Sequence, residues 1–185
     1  WGVFLASIFI GGLALSIEMS FLFLYMDRLG ASKTLMGIAL AVSTISELPV
    51  WFFANRLIER LGTRKVLVVS LLACAVQSFG YALMGDPLAA LPIQLLHGLA
   101  FSASWAAGVA YSAEIAPPGL GATAQGVFSG VSFGLRAALG AFLGGVLFDH
   151  IGPAAAFGWG GVAALAGVGF FLMASRRRKA GLRRR

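Results

Sequence analysis

Hydrophobic and polar positions along this chain alternate on the scale of whole segments. Six apolar runs, about 1–26, 34–58, 66–84, 89–113, 120–147 and 154–174, are parted by short polar turns. Each run can cross a hydrocarbon core of about 30 Å at 1.5 Å of rise per residue. That core offers no partner to a bare N–H or C=O, so a crossing run must satisfy its own backbone as a helix. A membrane barrel would instead need segments of about 10 residues with alternating polarity. The pattern predicts an all-α bundle of six membrane spans over residues 1–174 and a basic tail at 175–185. The turns carry the expected breakers: Gly30 and Ser32 in the first, Gly85-Asp86-Pro87 in the third, Pro117-Pro118-Gly119 in the fourth.

Composition agrees with that reading. Soluble domains carry about 25% charged residues, whereas this chain has 11%, with 59% hydrophobic residues and a mean hydropathy of +0.89. Its net charge of +7 is distributed unevenly. Arg56, Arg60, Arg64 and Lys65 follow the second span, and Arg176, Arg177, Arg178, Lys179, Arg183, Arg184 and Arg185 fill the tail, whereas only Arg28 and Lys33 occupy the opposite side. This bias places both ends of the chain in the cytoplasm, against anionic lipid. The basic tail then serves as a membrane anchor, and no nucleic-acid partner is expected. Trp1 opens the chain within an apolar run, as expected of a piece whose beginning lies elsewhere. Cys74 sits among aliphatic residues as a packing residue. There is no phosphate-binding glycine loop and no metal-ligand cluster, so neither enzymatic activity nor a cofactor or metal is expected.

The informative residues are the polar ones inside the spans. Glu18, Glu47, His97 and Arg136 stand where lipid makes charge expensive. On an ideal fourth helix Gln94, His97, Phe101, Ser104, Trp105 and Gly108 share about 100° of arc, a face suited to orienting a cyclic or aromatic solute. Arg136 requires water, a carboxylate or an anionic solute. Glu47 lies at a matching depth of roughly 17–20 Å, and either a fixed charge pair or a ligand-binding role fits. Pro49 is expected to kink or unwind the helix beside Glu47. Glu18, Gln77 and His97 share a shallower layer, about 10–15 Å deep. Gly126, Gly130 and Gly134 form a small-residue ridge expected to admit a neighbouring helix closely.

Two sequence relationships bear on identity. Leu57-Ile58-Glu59-Arg60-Leu61-Gly62-Thr63 after the second span is echoed by Leu147-Phe148-Asp149-His150-Ile151-Gly152-Pro153 after the fifth. An offset of three spans is what two inverted three-helix repeats would give, with spans one and four at the cavity and spans three and six away from it. Further, Glu59-Arg60-Leu61-Gly62-Thr63-Arg64-Lys65 resembles the cytoplasmic signature of the major facilitator superfamily, with Asn55 where the family's preceding Gly would stand. Glu47-Leu48-Pro49-Val50-Trp51-Phe52-Phe53 and Leu95-Leu96-His97-Gly98-Leu99 resemble its lactose-permease-like branch, which includes phenylpropionate-type permeases.

The resemblance implies a twelve-helix transporter of which this chain is the C-terminal half, lacking the N-terminal six-helix half, with alternating access driven by protons. It further implies that Glu59, Arg60, Gly62, Arg64 and Lys65 form an inner gate. That branch places an Arg in its third C-terminal span and a His followed by a Glu in its fourth; here the His matches His97, while Gln77 and Ala100 stand at the other two positions. The expected pathway residues are Glu18, Glu47, Gln77, Gln94, His97, Phe101, Trp105 and Arg136. The expected partners are a small organic solute, aromatic or anionic, together with protons and the lipid bilayer of a bacterial inner membrane. A proton-linked transporter is one reading; a non-transporting receptor or assembly factor on the same bundle is the other.

Overall fold

The computed structural model describes residues 2–182, with side chains through Met173. The described residues contain helices and turns and no strand: α1 (Gly2–Arg28), α2 (Lys33–Leu61), α3 (Thr63–Ala82), α4 (Ala90–Gln94), α5 (Ala103–Glu114), α6 (Gly121–Ser129), α7 (Arg136–His150) and α8 (Pro153–Leu182). Five helices are long and apolar enough to cross a membrane, α6 and α7 counting as one over Gly121–His150, and a bent pair, Pro87–Gln94 with Gly98–Glu114, makes a sixth. The basic tail predicted at 175–185 is part of α8 as far as Leu182, in backbone only; its side chains and residues 183–185 lie outside the described residues.

Two spans depart from regular helix. The fourth bends by 46° between Gln94 and Gly98 and continues through a π turn at Gly98–Ser102. The fifth carries a π turn at Gly130–Leu135, immediately before Arg136. Each π turn inserts a residue and rotates the helix beyond it, and such turns concentrate at functional sites. Helix α2 runs through Pro49 without unwinding.

Helix α1 packs on α8, α7 and α3; α3 also packs on α8 and α5, while α2 lies along the broken fourth span. Small residues form the middle of the bundle, where Ala14, Ala73, Cys74, Ala75, Ala100 and Ala164 are buried around Leu15. Larger side chains fill both ends: Tyr25, Tyr81, Phe148 and Phe157 at one, Phe4, Tyr111, Phe128 and Phe171 at the other. Small residues in the middle let backbones touch, which is how membrane helices gain contact without a hydrophobic drive between them. A Cβ on Gly167 would stand 2.6 Å from the Gly11 Cα, so α8 crosses α1 backbone to backbone. The expected ridge of Gly126, Gly130 and Gly134 does not do this work within the chain: a Cβ at any of the three meets nothing within 4 Å.

Candidate functional site

The break in the fourth span is held by α2. Ser46 Oγ accepts the Gly98 N–H at 2.9 Å, while its own hydrogen has the Ser43 carbonyl at 2.7 Å and the Gln94 carbonyl at 3.3 Å within reach, so it answers a backbone N–H at the break that regular helix would otherwise satisfy. A Cβ on Gly98 would collide with the Ser46 carbonyl. Glycine is therefore required here by close approach, and that approach brings His97 against α1 and α2.

His97 lies between two carboxylates. Its Nδ1 is 3.0 Å from Glu18 Oε1, and its Nε2 is 3.8 Å from Glu47 Oε1. Glu18 is only 5% exposed. The same Oε1 also accepts Gln77 Nε2 at 3.0 Å and the Tyr81 hydroxyl at 3.2 Å, so three donors from two helices converge on one buried carboxylate oxygen. An ionised Glu18 can only accept, and a neutral imidazole facing it then carries its hydrogen on Nδ1. Glu47 Oε2 accepts Ser102 Oγ at 3.1 Å and Trp51 Nε1 at 3.3 Å. Phe101 stacks on the His97 ring, with centroids 5.6 Å apart.

This trio opens on a cleft of about 220 Å³ lined by Glu18, Glu47, Gln94, His97, Phe101, Ser43 and Thr44 together with Met19, Leu22, Phe23 and Leu40. Spans one, two and four build it, and Gln77 reaches Glu18 from behind. Of the residues singled out in the sequence, Glu18, Glu47, Gln77, Gln94, His97 and Phe101 are brought together here. Trp105 and Arg136 are not.

Trp105 and Ser104 line a separate small cavity with Arg136 and Ser132. The π turn at Gly98–Ser102 is the reason: it rotates everything beyond Ser102, so the single stripe expected on an ideal fourth helix divides between two sites. Arg136 is 5% exposed and forms no ion pair among the described residues. Its guanidinium instead lies over Gly12 of α1, where a Cβ would stand 2.5 Å from Arg136 Cδ and Nη1. Of the two readings left open for Glu47 and Arg136, the fixed charge pair is absent among the described residues, because equal depth did not mean a shared face.

At the α2–α3 turn, Gly62 adopts φ +81°, a backbone conformation that strains other residues, and donates its N–H to Ile58 at 2.7 Å. Thr63 Oγ1 donates to Glu114 Oε2 at 2.9 Å, and Arg64 lies over the Tyr111 ring at 5.7 Å. Glu59, Arg60 and Lys65 are exposed and form no ion pair among the described residues.

Sequence reasoning missed Tyr81, Ser46 and Ser102. Tyr81 lies four residues after Gln77 and so on the same helical face, a signal that was readable. The contacts of Ser46 with Gly98 and of Ser102 with Glu47 cross between helices, which periodicity does not reveal.

A model of the MFS_1 like family matches residues 2–159. Among curated relatives, the chain is 26% identical over 144 residues to a major facilitator superfamily domain-containing protein 6-like protein B of Xenopus laevis, covering 78% of this chain and 24% of that protein. It is 29% identical over 161 residues to the uncharacterized transporter YwbF of Bacillus subtilis, 84% of this chain and 40% of the relative. It is 27% identical over 163 residues to a maltose permease of Geobacillus stearothermophilus, 88% and 41%. The chain thus spans well under half the length of these relatives. Its long apolar helices and this match make it an integral membrane protein, and the chain belongs to the MFS_1 like family of the major facilitator superfamily.

Proposed function

We propose that the chain is the C-terminal six-helix half of a secondary transporter for a small organic solute, and that Glu18, His97 and Glu47 carry a coupling proton. The observation that supports this reading most is the His97 imidazole held between two carboxylates at 3.0 and 3.8 Å on the wall of a solute-sized cleft. With Nδ1–H donated to Glu18, the Nε2 lone pair faces Glu47. A proton taken from water by Glu47 or by Nε2 turns that repulsion into a hydrogen bond or an ion pair. Separation of α2 from the fourth span would return the proton to water on the other side. The acid missing at Ala100 is thereby replaced by one from α1, which supports retained coupling over the receptor or assembly-factor reading.

The cleft gives the solute an aromatic wall in Phe101 and hydrogen-bonding groups in Gln94, Ser43 and Thr44. In this reading a second six-helix half would cover the cleft, and alternating access would arise between the two halves. Helix packing also supports two inverted three-helix repeats. Span one lies on spans six and five, as span four lies on three and two. The distribution of Arg and Lys supports an orientation with both ends of the chain cytoplasmic, in a bacterial inner membrane. His97-Gly98 and Glu47 support the lactose-permease-like branch. The exposed charges of the Glu59–Lys65 turn then act as an inner gate in the alternate access state.

Uptake of labelled small solutes by vesicles containing the full-length protein, with and without an inward proton gradient, tests the proposal. Accumulation that follows the gradient and disappears in His97→Ala supports it. Solute flux indifferent to the gradient refutes the coupling.

A further inference from the structure

We infer that Arg136 and Ser132 form a compact-anion subsite next to the proton site. The sequence left open whether Arg136 meets water, a carboxylate or an anionic ligand. In the fold it is 5% exposed and Ser132 is 1% exposed. Arg136 Nε and Ser132 Oγ are both buried without a hydrogen-bond partner among the described residues. Both belong to the wall of one cavity of about 10 Å³, together with Ser104, Phe101, Trp105 and Phe128. No Asp or Glu lines that cavity. A guanidinium held in a low-dielectric interior needs a negative partner, since burial of an uncompensated charge is strongly unfavourable.

The cavity admits about one water-sized sphere. It therefore suits the oxygen tip of one carboxylate, takes chloride only where its walls yield, and excludes tetrahedral oxyanions. Arg136 supplies the charge, while Ser132 and Ser104 supply neutral hydroxyl donors. Gly12 supplies room: a Cβ there would press on Arg136 Cδ and Nη1. The walls are aromatic, with Trp105 and Phe128 ring centroids 5.2 Å apart. Phe101 belongs to this cavity and to the Glu18–His97–Glu47 cleft alike. Phe101 is thus the wall between the two, and a ligand whose carboxylate meets Arg136 reaches the cleft only where that ring turns aside. The shared chemistry is a compact monoanionic group, supplied either by the transported solute or by free chloride. The solute form rests on the transport reading above; the chloride form does not.

The test is equilibrium binding, in the absence of any gradient, to the full-length protein in nanodiscs. Chloride, acetate and benzoate are titrated against gluconate at constant ionic strength, following Trp105 emission, assigned with Trp105→Phe, and thermal unfolding. A saturable response is expected from at least one of the three. Chloride alone identifies a halide site, and acetate or benzoate without chloride identifies the carboxylate of a solute. Arg136→Gln should abolish the response and Ser132→Ala should weaken it about tenfold, the worth of one hydrogen bond to a charged group. If Arg136→Gln does not fold, Gly12→Ala and Arg136→Lys take its place, each expected to weaken binding through displacement or loss of the guanidinium. Gly169→Ala, on α8 where a Cβ meets nothing within 4 Å, should bind as wild type. Loss of gradient-driven uptake with this response intact would sink the coupling proposal and leave the subsite standing. No saturable response in wild type, or one that survives Arg136→Gln, overturns the subsite.

Discussion

His97 Nδ1 meets Glu18 Oε1 at 3.0 Å across 79 residues of chain, joining the break in the fourth span to the middle of α1. Gln77 and Tyr81 donate to the same oxygen. Glu18→Gln keeps a carbonyl oxygen in place for these donors, so thermal stability should stay within about 1 kcal/mol of wild type. Glu18→Leu leaves the donors unanswered in a buried layer, each at about 1–3 kcal/mol. A loss of about 3 kcal/mol or more is expected for it, read from thermal unfolding in detergent.

Ser46 and Gly98 make a second separable pair. Gly98→Ala drives a Cβ into the Ser46 backbone carbonyl, which cannot move as a side chain can. Ser46→Ala removes only the hydroxyl that accepts the Gly98 N–H, a loss of about 1–2 kcal/mol. Gly98→Ala should therefore be the more damaging, with poor recovery of folded protein and a displaced His97. Equal stability of the two variants would contradict the backbone contact.

Two glycines of α8 give a matched comparison. Gly167→Ala places a methyl 2.6 Å from the Gly11 Cα, while at Gly169 a Cβ meets nothing within 4 Å. Gly169→Ala should hold or gain stability, by up to about 1 kcal/mol through helix propensity. Gly167→Ala should lose several kcal/mol, because a backbone collision relaxes poorly. Thermal unfolding of the two proteins side by side measures the difference.

Arg60 is exposed and free of ion pairs among the described residues, so Arg60→Gln should alter folding stability by less than about 0.5 kcal/mol. If the turn acts as a gate between access states, the same substitution slows uptake at saturating solute far more than it changes apparent affinity. Equal loss of both with a lowered unfolding temperature would argue for a folding defect.

The spans were legible because lipid imposes a length and a polarity that sequence displays directly. The second was expected at 34–58 and runs Lys33–Leu61. Glu18, Glu47, His97 and Arg136 were legible as positions that need polar partners for the same reason, since charge inside a span needs an explanation. Their partners were not. Depth along a helix can be counted at 1.5 Å per residue, but the facing direction depends on neighbours and on register, which is why Glu47 meets His97 rather than Arg136. The π turn at Gly98–Ser102 left no periodic trace, and it moved Trp105 from the His97 cleft to the Arg136 cavity. The ridge of Gly126, Gly130 and Gly134 was legible as small residues, yet the close crossing is made by Gly11 and Gly167, whose contact depends on tertiary packing.

The central claim is that the proton held by Glu18, His97 and Glu47 is the one that drives solute movement. It is tested most directly by comparing gradient-driven accumulation with gradient-free exchange, using labelled solute in vesicles of the full-length protein and of Glu47→Gln. Glu47→Gln cannot release a proton from that side chain, while Ser102 and Trp51 can still donate to its carbonyl oxygen. The account predicts that exchange across equal solute concentrations persists near the wild-type rate while accumulation against a concentration difference is lost. Accumulation that survives in Glu47→Gln and remains proportional to the proton gradient would contradict it.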